Sequence, residues 1–217
     1  MYAFATAAVR TAENRQVFLE RVKDKCGLTV EVVSGEEEAE LGILGAIGNA
    51  DGGIVDIGGA STEIVVQKGG VAVYKKSVDI GVVRLKDMCG RDPKKIFRCA
   101  IEAAEKFGEV PNGVPMYAIG GTATTLGALK KGLIKYDSAL VTGTLLDKKG
   151  LKAAADSLLS MPVEEIAKMP CVEEKRADVI GGGATLLFVL ADKLAFSRLI
   201  VSDRDNLEGY AIKRGLL

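Results

Sequence analysis

The spacing of hydrophobic residues along the chain predicts alternating helices and strands. Apolar residues recur at helical spacing over 11–27, and Gly27 is a suitable carboxyl-terminal stop. Ser34 and Glu37 have the spacing of a capping box, which predicts that a second helix begins there. Short apolar runs rich in β-branched residues predict strands. Strands are expected at Tyr2–Ala5, 28–34, Ile54–Asp56, Glu63–Gln67, 114–119 and 198–202, and further helices at 92–108, 122–131, 147–161, 162–170, 173–194 and 203–216.

Residues 52–78 have the pattern of three consecutive antiparallel strands. The runs Ile54–Asp56 and Glu63–Gln67 flank a glycine loop, and the chain then turns at a Gly-Gly pair and returns. Such a meander, followed by alternating helices and strands, is the element order of a ribonuclease-H-like half-domain, the unit duplicated in actin and the sugar kinases. The sequence therefore predicts an α/β, actin-like ATPase fold with a mixed sheet flanked by helices. Residues 1–45 are expected to be the trailing part of a first domain, and 46–217 a second domain with C-terminal helices.

Composition narrows the classes of function. Of the 217 residues, 48% are hydrophobic, which is enough for a buried core. Lys plus Arg and Asp plus Glu both number 29, and a net charge of zero argues against nucleic acid or an acidic membrane as partners. Histidine is absent, which excludes Ser-His-Asp and Cys-His nucleophilic schemes. Scattered cysteines without a C-x-x-C pair, and apolar runs shorter than a membrane span, predict a cytoplasmic protein with free thiols.

The stretch GGIVDIGGASTEIVV, residues 52–66, predicts a phosphate-binding loop at the tip of a hairpin. The residues after the glycines are β-branched and lack helical spacing, unlike the helix that follows the loop in dinucleotide-binding folds. An anion would then be held by a concave nest of backbone amides, which glycine permits because it has no Cβ. A glycine-rich structural hairpin is the alternative. The groups expected to bind are the amides of Gly58, Gly59, Ala60 and Ser61 and the hydroxyls of Ser61 and Thr62.

Asp56 lies at the end of the strand that leads into this loop. A carboxylate so close to phosphate requires a divalent cation between the two. A second loop, AIGGTATTLGAL at 118–129, runs from strand through glycines to helix, so Gly120, Gly121 and Thr122 are expected to hold an anion at a helix N-terminus. Strand ends in this fold converge on one cleft, and the two loops support each other as parts of one site.

Four segments occur in an order that identifies a family. They are ATAAVRTAENRQVFLERV (5–22), VEVVSGEEEAELG (30–42), VDIGGASTEIVV (55–66) and AIGGTATTLGAL (118–129). Together they resemble the exopolyphosphatase / guanosine pentaphosphate phosphohydrolase (Ppx/GppA phosphatase) family of the actin-like superfamily. KRADVIGGGATLL and VSDRDNLEGYAIKRGLL are similar to the family's C-terminal signature, so the resemblance covers essentially the whole chain.

The resemblance implies Mg²⁺-assisted hydrolysis of a terminal phosphoryl group, from inorganic polyphosphate or from guanosine pentaphosphate. The last glutamate of the family's S-G-x-E-E-A motif is the general base, and that motif places Glu38 in this role. Asp56 and Glu63 are implied for the metal, and Arg10 for phosphate. Phosphoryl transfer needs positioning and charge neutralisation, which these groups supply without histidine. The run Glu36-Glu37-Glu38 suggests repulsion between like charges as a reason for a raised pKa of Glu38.

The chain departs from the family pattern at several points. Met1 falls after the family's first D-x-G-S-N-S-type phosphate loop. Three explanations are open: the chain is a fragment, its start has been mis-assigned, or it is one half of a split enzyme. The expected protein partner is accordingly a second copy, as a homodimer, or a separate chain that supplies the missing half-domain. Ala60 replaces a glycine, Glu40 stands where many relatives carry arginine, and Thr142 stands where histidine is frequent. A phosphate-binding remnant or subunit without turnover is therefore the alternative to a phosphatase.

Two further segments favour structural roles. Arg176 and Asp178 could pair locally or steady the cleft, and a structural role is favoured because residues two apart do not share a helix face. Gly181, Gly182 and Gly183 interrupt a long apolar helix, and close packing of that helix on the sheet is the expected reason. The paired lysines along the chain are expected on solvated faces.

Overall fold

The computed structural model describes residues 1–217 as eight strands and eleven helices. The strands are β1 (Ala3–Ala5), β2 (Val30–Val32), β3 (Gly52–Ile57), β4 (Thr62–Lys68), β5 (Val71–Val78), β6 (Met116–Ile119), β7 (Leu145–Asp147) and β8 (Arg198–Val201). The helices are α1 (Ala7–Arg10), α2 (Arg15–Cys26), α3 (Gly35–Ile47), α4 (Val82–Cys89), α5 (Pro93–Phe107), α6 (Gly120–Lys131), α7 (Ser138–Val141), α8 (Lys148–Ser160), α9 (Val163–Ile166), α10 (Ile180–Lys193) and α11 (Asn206–Lys213).

The strands form two sheets. Six strands make a mixed sheet in the order β5-β4-β3-β6-β8-β7, and β1 and β2 pair in parallel as a separate small sheet. Strands β3, β4 and β5 are consecutive and antiparallel, which confirms the predicted meander. Strands β6 and β8 continue the sheet in parallel with β3, whereas β7 is antiparallel to β8. The α/β fold is therefore the one predicted, while the division into domains at residue 45 stays a prediction.

Local signals in the sequence set where three of the longer helices begin or end. Ser34 accepts a hydrogen bond from the Glu37 amide, and the Glu37 side chain accepts one from the Ser34 amide, which completes the predicted capping box of α3. At α5, Asp92 is the N-cap and Pro93 occupies the first turn, where its missing N–H costs nothing. Helix α2 ends at Gly27, which adopts the left-handed conformation.

The large sheet is covered on both faces. On one face, 37 buried residues form the main hydrophobic core between the sheet and a layer that includes α4, α5, α8 and α10. On the other face, α3 packs on the sheet through a small cluster that contains Ala39, Ile43, Ile54, Val65 and Ile119. Because side chains alternate along a strand, Asp56 shares the face of Ile54 and Glu63 shares that of Val65. Both acids therefore face α3.

Four short elements were not predicted from the sequence, and the predicted start of one helix was wrong. Helices α1, α4 and α7 and strand β7 are absent from the prediction, and α10 begins at Ile180, after a 3-10 turn at Glu174–Arg176. The glycines of α10 do permit close packing, although against helices instead of the sheet. A Cβ at Gly181 would lie 2.9 Å from a Leu159 methyl carbon, and one at Gly183 would lie 2.8 Å from the Thr122 methyl carbon. None of the helices combines the length and the apolar character required to cross a lipid bilayer.

Candidate active site

Three acidic side chains meet between the sheet and α3. Asp56 on β3 lies directly opposite Glu63 on β4, so the two carboxyl groups are neighbours on one face of the sheet. The capping box at Ser34 starts α3 so that its fourth residue, Glu38, is buried against the same face. The negative charge of Glu38 acts on both Asp56 and Glu63. The structure thus brings together the three carboxylates that the resemblance assigned to catalysis and to the metal.

Hydrogen bonds orient two of these carboxyl groups. Arg10 Nη1 donates to Glu38 Oε2 at 3.0 Å and to the Val33 carbonyl at 2.9 Å, and only about a fifth of the Arg10 side chain is exposed. On β5, Ser77 lies opposite Glu63, and its Oγ donates to Glu63 Oε1 at 2.7 Å. Arg10 therefore forms an ion pair with the expected base, and its predicted contact with phosphate remains a prediction.

Burial changes the ionisation of the two sheet carboxyls. Burial raises the pKa of Asp56 to about 8, and the charges of Glu63 and Glu38 act in the same direction. Burial also raises the pKa of Glu63 to about 7, against the hydrogen bonds from Ser77 and Ser61, which lower it. Near neutral pH the pair therefore holds protons that a bound cation would displace.

The neighbours of Glu38 differ from those suggested by the glutamate run. The Glu37 side chain closes the capping box. It accepts a hydrogen bond from the Ser34 amide, and this bond lowers the pKa of Glu37. Glu36 pairs with Lys75 at 3.2 Å, and Glu40 pairs with the same lysine at 2.8 Å. The like charges close to Glu38 are therefore those of the two sheet acids, which are distant from it in sequence.

The donor set of the acid pair suits a divalent cation. Magnesium is usually held by one or two carboxylates together with water and substrate phosphate oxygens, and Asp56 and Glu63 offer two adjacent carboxylates. The chain contains no group of three or more acidic, cysteine or histidine side chains arranged as a complete metal cage. The residues thus fit an ion that is shared with the substrate, and metal binding by this pair stays a prediction.

The stability of the metal-free protein is expected to fall as pH rises from 5 to 8. Asp56 has a pKa of 3.8 in the unfolded chain and about 8 when folded, so the folded state binds more protons across this window. Fewer protons on the unfolded chain mean that the free energy of unfolding decreases with pH, by up to about 1.4 kcal/mol per pH unit for one group. Thermal denaturation in a chelator at each pH measures the effect.

The matched variants for this experiment are Asp56→Asn, which should flatten the pH dependence, and Glu36→Gln, which removes an exposed charge and should not. Added Mg²⁺ should raise the melting temperature more at pH 8 than at pH 5, because the cation binds the deprotonated pair. A metal-free melting temperature that is constant or increasing across the window would contradict the raised pKa of Asp56.

The first glycine loop, Gly58–Ser61, has fewer free groups than the sequence suggested. The Gly58 amide donates to the Ser61 carbonyl at 3.0 Å within the turn, so it is not available to an anion. The Thr62 hydroxyl is buried and donates to the Ile80 carbonyl at 2.5 Å. These two groups of the predicted nest serve the fold of the loop. The amides of Gly59, Ala60 and Ser61 have no acceptor among the loop hydrogen bonds and remain the candidates for phosphate.

Helix α4 supports this loop from outside. The amides of Val82 and Val83 donate to the carbonyls of Gly58 and Gly59, both at 2.9 Å, and a Cβ at Gly81 would overlap the Gly59 backbone. This supporting helix was not predicted, although Val82, Leu85 and Cys89 have the spacing of one face of a short helix.

The second glycine loop ends beside Asp56. Helix α6 starts at Gly120 without a side-chain cap, so its first amides are unpaired and favour an anion. Gly120 has a φ of +76°, and a Cβ there would lie 2.6 Å from Asp56 Oδ1. Both the backbone conformation and the lack of space for a side chain therefore require glycine. Thr122 is buried, and its hydroxyl lies 3.5 Å from the Ile57 carbonyl, which leaves its amide as the group for an anion. The two loops thus flank one carboxylate.

A cavity of about 500 Å³ opens beside the second loop. The guanidinium of Arg176 covers Gly121 so closely that a Cβ there would overlap it. Arg176 also pairs with Glu173 at 3.3 Å. Arg176 thus lies at the candidate site, which is the less favoured of the two roles considered for it from the sequence. The cavity lining is Gly120, Gly121, Thr124, Thr125, Tyr136, Cys171, Val172, Glu173, Arg176, Asp203 and Asp205.

Asn206 is a further site residue that the sequence analysis did not single out. It is the first residue of α11, where Asp205 and Glu208 form a capping box, and its Nδ2 donates to Asp56 Oδ2 at 3.4 Å. Its Oδ1 is buried without a partner. The capping-box spacing in DRDNLEG is the signal that would have placed this side chain at a helix start.

Comparison with known proteins decides the family. The model of the Ppx/GppA phosphatase family matches residues 1–214. The chain belongs to this phosphatase family. It is 34% identical to exopolyphosphatase 2 of Mycobacterium tuberculosis over 232 residues, which covers 96% of this chain and 72% of the relative. It is 37% identical to a guanosine-5'-triphosphate,3'-diphosphate pyrophosphatase of Photobacterium profundum over 222 residues, covering 98% of this chain and 43% of that protein.

Solved structures of Ppx/GppA proteins share the fold. The family member of Aquifex aeolicus superimposes with a TM-score of 0.86 at 33% identity, covering 99% of this chain and 74% of that one. A structure described as an exopolyphosphatase-like protein gives a TM-score of 0.86 at 28% identity. The resemblance seen in the sequence motifs is thereby confirmed for the family and for the actin-like fold.

Proposed function

We propose that this Ppx/GppA phosphatase removes the terminal phosphoryl group of inorganic polyphosphate in the cytoplasm. The observation that carries the proposal is the convergence of Glu38, Asp56 and Glu63 between two loops that present free amides. The similarity to a mycobacterial exopolyphosphatase over 96% of the chain supports it. A second copy or a separate chain as a protein partner stays a prediction.

In the proposed reaction, water attacks the terminal phosphorus in line with the bond that breaks. Glu38 accepts a proton from this water, and Arg10 holds one oxygen of Glu38 so that the other faces the reaction. Asp56 and Glu63 would hold Mg²⁺, which neutralises charge on the phosphate oxygens when it is bound. The amides of the first loop and the α6 N-terminus bind phosphate oxygens, and the remaining polyphosphate leaves as the anion.

Guanosine pentaphosphate is the second candidate substrate, and the cavity beside α6 favours it. The cavity volume falls within the range of small-molecule sites. Tyr136 and Arg176 on its wall offer a stacking surface and a cation, while Gly120 and Gly121 link it to the phosphate site. A linear polyphosphate has no group that requires such a cavity, whereas a nucleoside does.

Phosphate release from the two substrates tests the proposal. With Mg²⁺ we expect wild-type protein to release phosphate from polyphosphate with the higher kcat/KM, and a chelator should abolish release. Arg176→Ala should lower kcat/KM about 10-fold for guanosine pentaphosphate and only a few-fold for polyphosphate, because the lost charged hydrogen bond lies in the cavity.

The matched control for this assay is Arg98→Ala, an exposed arginine on α5 whose one ion pair is with Glu102. Equal losses for both substrates with Arg176→Ala would contradict the nucleoside cavity. Phosphate binding without release from either substrate would favour the non-catalytic alternative.

A further inference from the structure

Two cysteines outside the phosphate site are in contact. Cys89 is the last residue of α4, Cys99 lies in α5, and the Cys89 thiol donates to the Cys99 sulfur at 3.3 Å. The other two cysteines are separate from this pair: Cys26 is exposed, and the Cys171 thiol lies 3.3 Å from the Leu133 carbonyl. The contact therefore singles out one pair among the four thiols.

The backbone between α4 and α5 fixes this pair. Gly90 ends α4 with a φ of +59°, the Asp92 amide donates to the Cys89 carbonyl at 3.3 Å, and Asp92 caps α5. The sulfur separation is about 1.3 Å longer than a disulfide bond of about 2.05 Å. The two sulfur atoms already face each other across the α4–α5 turn, and a disulfide requires them to approach by this difference.

We propose that Cys89 and Cys99 form a reversible intramolecular disulfide when the protein meets a low-molecular-weight disulfide. Intracellular disulfides are usually transient and redox-sensing, and two thiols in contact are the groups that such a bond joins. This inference does not depend on the proposed substrate.

The exposure of the two thiols sets the order of the exchange. Burial raises the pKa of the Cys89 thiol to about 11, whereas Cys99 is only partly buried. The Cys99 thiolate attacks one sulfur of the small disulfide and releases one small thiolate. The Cys89 thiol then loses its proton, and its sulfur attacks the Cys99 sulfur and displaces the second small thiol. Two protein thiols are oxidised and one small disulfide is reduced to two thiols.

Oxidation would cross-link helix α4, which already binds the first glycine loop, to helix α5. The N-terminal amides of α4 bind the carbonyls of Gly58 and Gly59, and the new bond would tie its other end to α5. A cross-link between Cys89 and Cys99 restricts the unfolded chain, although by less than a cross-link that closes a long loop. We therefore expect the melting temperature of the oxidised protein to rise by about 5 °C.

The experiment treats the 217-residue chain with oxidised glutathione. We expect the protein mass to decrease by that of two hydrogen atoms, the titratable thiols to fall from four to two, and the peptides containing Cys89 and Cys99 to be linked. Dithiothreitol should restore all four thiols and the original melting temperature. Cys26→Ser is the matched control that should form the same link, and Cys99→Ser should not form it.

Two results would overturn the inference. One is glutathione that stays attached to Cys99 while Cys89 remains titratable. The other is oxidation that joins chains through Cys26 and leaves the α4–α5 pair reduced. Both are read on the wild-type chain by mass spectrometry, so the conclusion does not depend on how well a variant folds.

Discussion

We expect Glu38→Gln to lower kcat for phosphate release by about 10²- to 10⁴-fold, the range that a positioned general base contributes. Glutamine keeps the shape of the side chain and can still accept a hydrogen bond from Arg10, but it cannot take a proton from water. KM should change little, because the groups proposed to bind phosphate are backbone amides of the two loops. Steady-state phosphate release with polyphosphate and Mg²⁺ measures both constants.

Glu36→Gln is the matched control for this variant. Glu36 lies on the same helix and undergoes the same change of charge, but its side chain is 75% exposed and pairs with Lys75. Its kcat should stay within about two-fold of wild type. Unaltered turnover in Glu38→Gln would remove this residue from the mechanism, and equal losses in both variants would point to a change in α3 as a whole.

The parts of the fold that sequence could predict depend on short-range signals. The Ser34–Glu37 capping box sets the start of α3, and the β-branched run after the first loop sets a hairpin in place of a helix. The hairpin and the alternation of side chains on its strands place Asp56 and Glu63 side by side on one face of the sheet. This acid pair could therefore be predicted from local pattern, whereas Glu38 was assigned only through the resemblance to the family.

Three of the four missed elements lack such signals. Helices α1 and α7 have four residues each, which is too short to show helical spacing, and β7 has three. Tertiary contacts select the conformations of these three elements. Helix α4 does show helical spacing, and the carbonyls of Gly58 and Gly59, which are distant in sequence, hold its N-terminus in place.

The roles of individual site residues depend on the same kind of contact. Nothing near Arg10 in the sequence indicates that it pairs with Glu38, 28 residues away, and nothing near Asn206 indicates Asp56, 150 residues away. The availability of loop amides also follows from the turn geometry, since the Gly58 amide is used internally. Motif spacing predicts which residues gather, whereas three-dimensional packing decides which of their atoms are free.

The crossing of α3 and α11 holds two of these site residues. Helix α3 carries Glu38, and α11 begins with Asn206. The helices approach so closely that a Cβ at Gly45 would overlap the Asp205 carbonyl oxygen, and one at Gly209 would overlap that of Leu41. Glycines at this crossing therefore set the distance between the expected base and the partner of Asp56.

We expect Gly209→Ala to destabilise the protein by about 3 kcal/mol or more, which corresponds to a fall in melting temperature of about 6–12 °C. The added methyl group meets backbone atoms of Leu41, which cannot rotate away, so α11 must shift from α3. Because that shift moves Asn206 from Asp56, turnover should fall as well. Thermal denaturation and phosphate release at a temperature where the variant is folded measure the two effects.

Gly182→Ala is the matched control for this prediction, since Gly182 is also a buried helical glycine. Its Cβ would meet only a methyl carbon of Leu85, at the ordinary contact distance of 3.6 Å. Alanine there should be neutral or should stabilise α10 by up to about 1 kcal/mol, because alanine favours the helix over glycine. If both variants melt within a degree of wild type, the close crossing of α3 and α11 is wrong, and the position of Glu38 relative to Asp56 would have to be set by the capping box and by Arg10 alone.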